Sequence, residues 1–397
     1  MKDVWIINDY AGAPDYGMEL RHYNLGRELA KLGSKITIIS SAYSHLFVKY
    51  PLLPKEKIDD INYLWVQTLH YGNARNRKRV LKWFIFSFKI FFLPFKLSKP
   101  DVIIVSPMAP FSIFPAWILA KIYSARLIYE VKDIWPLTLV EIGGFSFNNP
   151  LIKLMSWSER FALKRSDVVV SNLQDYEEYI KYRIGGCNKF EWISNGVDLK
   201  DVKFGGLLPE EILNKIPKHK FIVGYFGSLG FSNAIDYYLK AIRLINKSKN
   251  IVFLFAGNGE LGNEIEQLSK NDDRVIFLGM VNKKTAFKLM EISDVLFKGN
   301  LSKDIYKYGV SPIKLFEYLL SGTPVVHSTN VKNDLIEISN SGVSTSAEDA
   351  DAIAHAILKV EGMTEDERNA LGKNGKKYVE RHFSYEELAK KFNKIIQ

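Results

Sequence analysis

The chain has 397 residues, too many for one ordinary core, and at 47% hydrophobic it can bury two. That composition excludes a disordered chain, and a single cysteine, Cys187, excludes an internal disulfide framework. A net charge of +10 suits anionic partners, whether nucleic acid, acidic lipid or a phosphorylated metabolite, and carries no information about fold.

The chain opens on an apolar run from Val4 to Ile7. A glycine-containing turn follows, NDYAGAPDYG, then an amphipathic stretch to Leu32 and a second run, KITIIS. This is the pattern of strand, loop, helix, strand. Gly17, closing the turn, would let backbone approach a phosphate or sugar, and Glu19 and Arg21 are expected in the first turn of the helix. Glu19 there would either bind sugar hydroxyls or sit favourably at the positive end of the helix.

Between Asp60 and Asp101 there is no acidic residue. Arg75, Lys82, Lys89 and Lys96 recur at seven-residue spacing, so on a helix they drift only about 20° per step and form one stripe. With Arg79, Trp83 and Phe86 beside it, the stripe is expected to lie on an anionic membrane surface. The alternative is a crossover helix with its aromatics in the core and its lysines in water. The lysines and Pro94 exclude a helix crossing the bilayer, and no recognised nucleic-acid module accompanies the segment.

Apolar runs recur at Asp101 to Val105, Arg126 to Val131, Asp167 to Ser171 and Phe190 to Ser194, separated by longer amphipathic segments. Strands alternating with helices predict parallel sheet covered on both faces. In YEVKDIWP, Lys132 and Asp133 fall just past the carboxyl end of a strand, where α/β sites gather. A polar passage containing Pro and Gly follows NGVD, and the rhythm then restarts with FIVGYFG, IVFLFAG, VIFLG, DVLF and TPVVH. Two domains are expected, residues 1–204 and 205–383, with a last helix over 384–397 packing back on the first. No charged and apolar leader opens the chain, so a cytoplasmic location is the expectation.

Gly257, Gly259 and Gly262 have the spacing of a dinucleotide fingerprint, but on the second strand of their unit and without an acidic residue after the next one. A tight strand-to-helix turn lining a different nucleotide is the simpler reading. More specific is YKYGVSPIKLFEYLLSGTPVV, residues 306–326. Ser311 at a cap, Pro312 at the first helical position and Lys314 one turn in would favour an anion. Lys314 and Glu317, three apart, share one helix face and can serve one ligand.

This last stretch resembles the donor-phosphate motif of glycosyltransferase family 4, enzymes of the GT-B fold. ISNGVD, GYFGSLG, AGNGE and VIFLGMV follow the family's order, and PDYGMELRHYNLGREL, YEVKDIWP and NPLIKLMSWSER resemble acceptor-domain segments of members that build O-antigen or capsule repeats on polyprenyl diphosphate. The resemblance implies two Rossmann-like domains with parallel sheets facing across a cleft, and retaining transfer from a UDP-sugar to a lipid-linked saccharide at the inner face of the plasma membrane, without metal or cofactor. A nucleotide-sugar epimerase, or a non-catalytic membrane or nucleic-acid binder, are the alternatives.

On that resemblance Lys314 neutralises the departing diphosphate and Glu317 binds the ribose. Gly17, Gly227, Ser228, Gly257, Gly259, Val281, Gly309, Ser311, Pro312, Ile313 and Leu315 contribute to the donor site. Glu19, Lys132 and Asp133 stand on the acceptor side. The family's first glutamate is replaced by Gly309, and its two loop cations by Ser228 and Asn233. Lys298, ending the strand DVLFK, is the expected substitute cation.

Overall fold

Runs rich in valine, isoleucine and phenylalanine, bounded by polar turns, form the strands of two separate sheets in the computed structural model, which describes residues 1–17, 19–73, 76–187, 189–200 and 207–397. In the first unit these are β1 (Asp3–Ile7), β2 (Lys35–Ser41), β3 (Lys55–Ile58), β4 (Ile61–Val66), β5 (Val102–Val105), β6 (Arg126–Val131), β7 (Val168–Ser171) and β8 (Phe190–Trp192). Their order is β3-β4-β2-β1-β5-β6-β7-β8. All pairings are parallel except β3 with β4, which is antiparallel. The alternation of strands and helices did not reveal this hairpin, because KEKI is too polar to read as strand. Its charges suit it to the sheet edge, where lysine discourages pairing with another chain.

Around this sheet lie α1 (Arg21–Lys31), α2 (Lys78–Ile90), α3 (Ile113–Tyr123), α4 (Leu137–Glu141), α5 (Pro150–Arg165) and α6 (Tyr176–Ile184). The start of α5 is legible locally: the Asn149 side chain accepts the Leu151 N–H, and Pro150 needs no partner for an N–H it lacks.

The second sheet contains β9 (Phe221–Phe226), β10 (Ile251–Ala256), β11 (Val275–Phe277), β12 (Val295–Gly299), β13 (Val325–Ser328) and β14 (Gly342–Thr345), in the order β11-β10-β9-β12-β13-β14 and parallel throughout. Its helices are α7 (Glu210–Leu213), α8 (Ile235–Leu244), α9 (Gly262–Asn271), α10 (Lys283–Glu291), α11 (Ile313–Ser321), α12 (Leu335–Ile338), α13 (Ala350–Glu361) and α14 (Glu365–His382). The core is aromatic: Tyr238 of α8 stacks on Phe297 of β12 with centroids 4.1 Å apart, beside Tyr225, Phe253 and Phe255. Each such ring removed from water stabilises the fold by about 1.5–3 kcal/mol.

The final helix, α15 (Tyr385–Ile396), belongs to the first unit, which comprises Met1–Asn195 and Tyr385–Gln397; the second is Gly196–Ser384. Its apolar face buries Leu388, Phe392 and Ile395 against α1, and the Arg126 guanidinium donates to the Ile395 carbonyl at 2.6 Å. The boundary expected between residues 204 and 205 falls among 201–206, outside the described residues, whereas the units divide at Asn195.

Helix α2 corrects the expected cationic stripe. Lys82 is wholly buried, its ammonium donating to the Asp9 carbonyl at 2.9 Å and carboxylate at 3.2 Å and lying over the Tyr10 ring. Trp83 and Phe86 are buried with it. Arg79 is half-buried, stacked against Tyr10, Trp83 and Trp135. Lys82, Trp83 and Phe86 present no charge or ring at the surface, because Asp9 and the aromatic cluster draw them inward. Lys89 and Lys96 are exposed, and Arg75 lies outside the described residues. No helix among the described residues is long and apolar enough to cross a membrane.

Candidate active site

In the second sheet the chain runs outward from β9 to β11 and then returns to place β12 on the other side of β9. Such a reversal leaves a crevice at the carboxyl ends of the two strands, the usual ligand position in open α/β sheets. Gly227 follows β9 there, Lys298 lies in the last two residues of β12 and Asn300 just past it. Lys314, from the first turn of α11, donates from its ammonium to the Tyr225 hydroxyl at 2.6 Å and lies 4.2 Å from the ring centroid. It also covers Gly227, where an added Cβ would sit 2.5 Å from Nζ.

Lys298 is 2% exposed and donates to the Gly299 carbonyl and, at 2.7 Å, to Oδ1 of Asn300. The Asn300 amide is held from behind: its Nδ2 donates to Nε2 of His327 at 3.0 Å and to Thr329 at 3.1 Å, and Nδ1 of His327 meets Asp334 at 2.8 Å. Burial pushes Lys298 down from 10.5 to about 7, and the charge of Lys314 adds to it. Burial also takes Lys314 to about 7, with Glu317 pulling the other way. A buried ammonium driven towards neutrality regains its proton when an anion comes to lie beside it.

The start of α11 differs from expectation. Pro312 is itself the cap, in extended conformation, and Ile313 is the first helical residue; Ser311 lies outside the helix. Serine preference at a cap misleads here, because the residue before a helical turn needs only extended backbone, which proline supplies. A proline cap has no side-chain acceptor, so it takes up none of the first-turn N–H groups. Glu317 is partly exposed and faces Lys283 at 3.5 Å. Leu315 is buried in the core and offers a ligand no side chain, whereas Ile313, Ser228 and Val281 keep solvent access.

Gly309 has φ 101° and ψ 164°, a region open essentially to glycine alone, so the backbone itself excludes the family's glutamate there. Gly257 is also constrained: a Cβ would lie 1.8 Å from the Gly227 carbonyl, and one on Gly259 would lie 2.5 Å from that of Leu229. These two glycines bring the β10 loop against the β9 loop, a packing role.

In the first unit, polar side chains cluster around the ends of β1 and β6. Arg21 donates to Glu130 Oε1 at 2.9 and 3.1 Å and to the carbonyls of Ile193 and Ser194 at 2.8 and 2.6 Å. Nε2 of His22 meets Glu130 Oε2 at 2.6 Å, and its Nδ1 faces Asn8 at 3.0 Å and Glu19 at 3.4 Å. Lys132 pairs with Glu19 at 3.3 Å and not with its neighbour Asp133. Glu19 precedes α1 instead of occupying its first turn.

Burial opposes the charge of Glu19, yet Lys132 and His22 outweigh it and hold the carboxyl at about 2. Burial likewise opposes ionisation of Glu130, and Arg21 with His22 keeps it well below the usual range. Desolvation lowers His22, but Glu130 and Glu19 reverse the sign and raise it. Partial desolvation pushes Asp133 up against Lys132, and Glu19 assists. Gly17, expected near a ligand, is buried under Phe47, whose ring would lie 2.7 Å from an added Cβ.

Sequence reasoning missed His22, Glu130, Tyr225, Asn300 and His327. The available signal was a polar residue inside an apolar strand, as in LIYEV and VVHS, since a buried strand tolerates such a residue only with partners.

Residues 16–201 match the family model described as Glycosyltransferase Family 4, and residues 220–361 the model described as Glycosyl transferases group 1. Among curated relatives, an uncharacterized glycosyltransferase of Methanocaldococcus jannaschii is 27% identical over 42% of each chain. A probable glycosyltransferase, WbjE of Pseudomonas aeruginosa, is 21% identical over 97% of this chain and 95% of its own. A putative teichuronic acid biosynthesis glycosyltransferase, TuaH of Bacillus subtilis, is 26% identical over 54% and 53%. The chain thus spans about half the length of the first and third of these. Sucrose-phosphate synthase of Thermosynechococcus elongatus superimposes with a TM-score of 0.72 at 18% identity, over 100% of this chain and 98% of its own. HepE of Anabaena in complex with UDP does so with 0.67 at 14%, over 100% and 99%.

Proposed function

The chain is a glycosyltransferase of the GT-B fold, and from that premise we propose that it moves an N-acetylated or deoxy hexose, with retention, from a UDP-sugar to a polyprenyl-diphosphate-linked saccharide. The work belongs to surface-polysaccharide synthesis at the inner face of the plasma membrane. One relative's name, teichuronic acid biosynthesis, and the UDP bound by HepE support this reading. The family matches favour neither an epimerase nor a non-catalytic binder.

The observation that carries the proposal is the pair Lys298 and Lys314 at the switch point of the second sheet, both held near neutrality by burial. A diphosphate placed there gains two cations and the amides of the α11 start. As the bond from sugar C1 to the diphosphate oxygen breaks, the charge released on that oxygen falls to these groups. The acceptor hydroxyl attacks C1 on the same face, and its proton passes to the departing diphosphate. Glu317 takes the ribose hydroxyls, and Glu19, fully ionised beside Lys132, takes hydroxyls of the acceptor.

A thermal-shift screen of UDP-, GDP- and ADP-sugars tests the reading. A matched donor at 100 times its Kd should stabilise by about 2.7 kcal/mol. The proposal predicts the largest shift from a UDP-linked N-acetylated or deoxy hexose; no shift with any nucleotide sugar would end it.

A further inference from the structure

With Lys82 turned inward, the outer side of α2 still carries exposed rings. Phe88 is 62% exposed, and just past the helix Phe92 is 45% and Phe95 85% exposed. Helix α3 packs between α2 and α5 and extends this face with Ile118 and Ile122, the latter 66% exposed. On α5, Trp157 is 57% exposed and stacks on Phe114 of α3 with centroids 4.8 Å apart. The three helices therefore present one run of exposed rings and aliphatic side chains.

The charges on the same helices are of one sign. Helices α2 and α3 contain no aspartate or glutamate. The one acid of α5, Glu159, is 1% exposed and is held by Tyr179 at 2.6 Å and Arg183 at 2.9 Å. Lys89, Lys121, Lys153, Arg160 and Lys164 are all exposed. A typical solvated face mixes both signs, and this one does not.

We propose that the exposed faces of α2, α3 and α5 dock the protein on an anionic lipid bilayer, rings and aliphatic side chains entering the headgroup layer and the lysines meeting lipid phosphates. Charge decides among occupants. A second copy meeting this face through its own would set like charges opposite each other with no acid to relieve them. Single-stranded nucleic acid would match the lysines but not Ile118 and Ile122, which cannot stack on bases as rings do. A bilayer with acidic headgroups satisfies both halves of the surface. The inference rests on the reading above for its purpose, since a lipid-borne acceptor is presented at such a surface.

Co-sedimentation of the full chain with vesicles tests it, comparing phosphatidylglycerol mixed into phosphatidylcholine with phosphatidylcholine alone. Partitioning should favour the anionic vesicles by tenfold or more. The combined change Phe88→Ser, Phe92→Ser and Phe95→Ser should lower binding to them about tenfold or more. Lys89→Glu, Lys121→Glu and Lys153→Glu together should erase the anionic preference, at about fivefold per lysine. Both variants should keep wild-type thermal unfolding and UDP binding. A wild-type chain that stays in the supernatant, or variants that sediment like wild type, would overturn the inference, as would variants that only dissolve a dimer or only release RNA. Absent vesicle binding in the wild type with donor binding intact would count against this surface alone, whereas absent donor binding in the wild type would count against the transferase reading alone.

Discussion

Replacing Lys298 by methionine separates a cation placed for a diphosphate from a buried strut. At pH 7 the unfolded chain carries this proton fully and the folded chain, titrating at about 7, about half the time, so the folded state gives up about 4 kcal/mol against a neutral side chain. Lys298→Met removes that penalty and forfeits the hydrogen bonds to Gly299 and Asn300, worth about 1–1.5 kcal/mol each. The balance is a gain of about 1–2 kcal/mol, or roughly 2–8 °C in Tm. UDP affinity should move the other way, by about 10- to 100-fold, because a charge-assisted contact is lost. The pH dependence has a definite sign. An anion raises both lysines above their free value of about 7, so affinity is fully present below pH 7 and falls as pH rises towards the bound-state values, up to tenfold per pH unit for each lysine. Lys298→Met should remove one of these two contributions. Calorimetric unfolding and UDP titration between pH 7 and 9 read all three effects. A variant that unfolds at lower temperature, binds UDP like wild type and keeps the full pH slope would refute the reasoning and leave Lys298 as a support for Asn300.

Glu130→Gln should destabilise the protein by about 3–5 kcal/mol in urea unfolding, because Arg21 and His22 would stay buried without their counter-charge. The carboxyl of Glu130 is held well below its ordinary value, so its contribution is present above pH 4.5 and lost as pH falls; acid titration of stability should be steeper in wild type than in the variant. Gly309→Glu, which writes the family's residue into the chain, should lower stability by about 1–3 kcal/mol and leave donor affinity no better, since the glycine-only backbone there must first rearrange. Improved turnover in that variant would contradict the assignment.

Much of the architecture follows from patterns a few residues long. Apolar runs such as VWII and IVFLFA alternating with amphipathic segments dictate parallel α/β units, because period-2 and period-3.6 burial are local properties of the chain. The likeness of GVSPIKLFEYLL to a donor motif also located Lys314 and Glu317 within one helix. The partners of each charge are not local. Seven-residue spacing places Lys82 and Lys89 within about 20° of each other on one helix, yet Asp9, 73 residues away, takes the first into the interior while the second stays in water. Glu130 joins Arg21 across 109 residues, and Asn300 reaches His327 from the neighbouring strand. A buried charge goes where a counter-charge is waiting, and only the packed sheet decides which two meet.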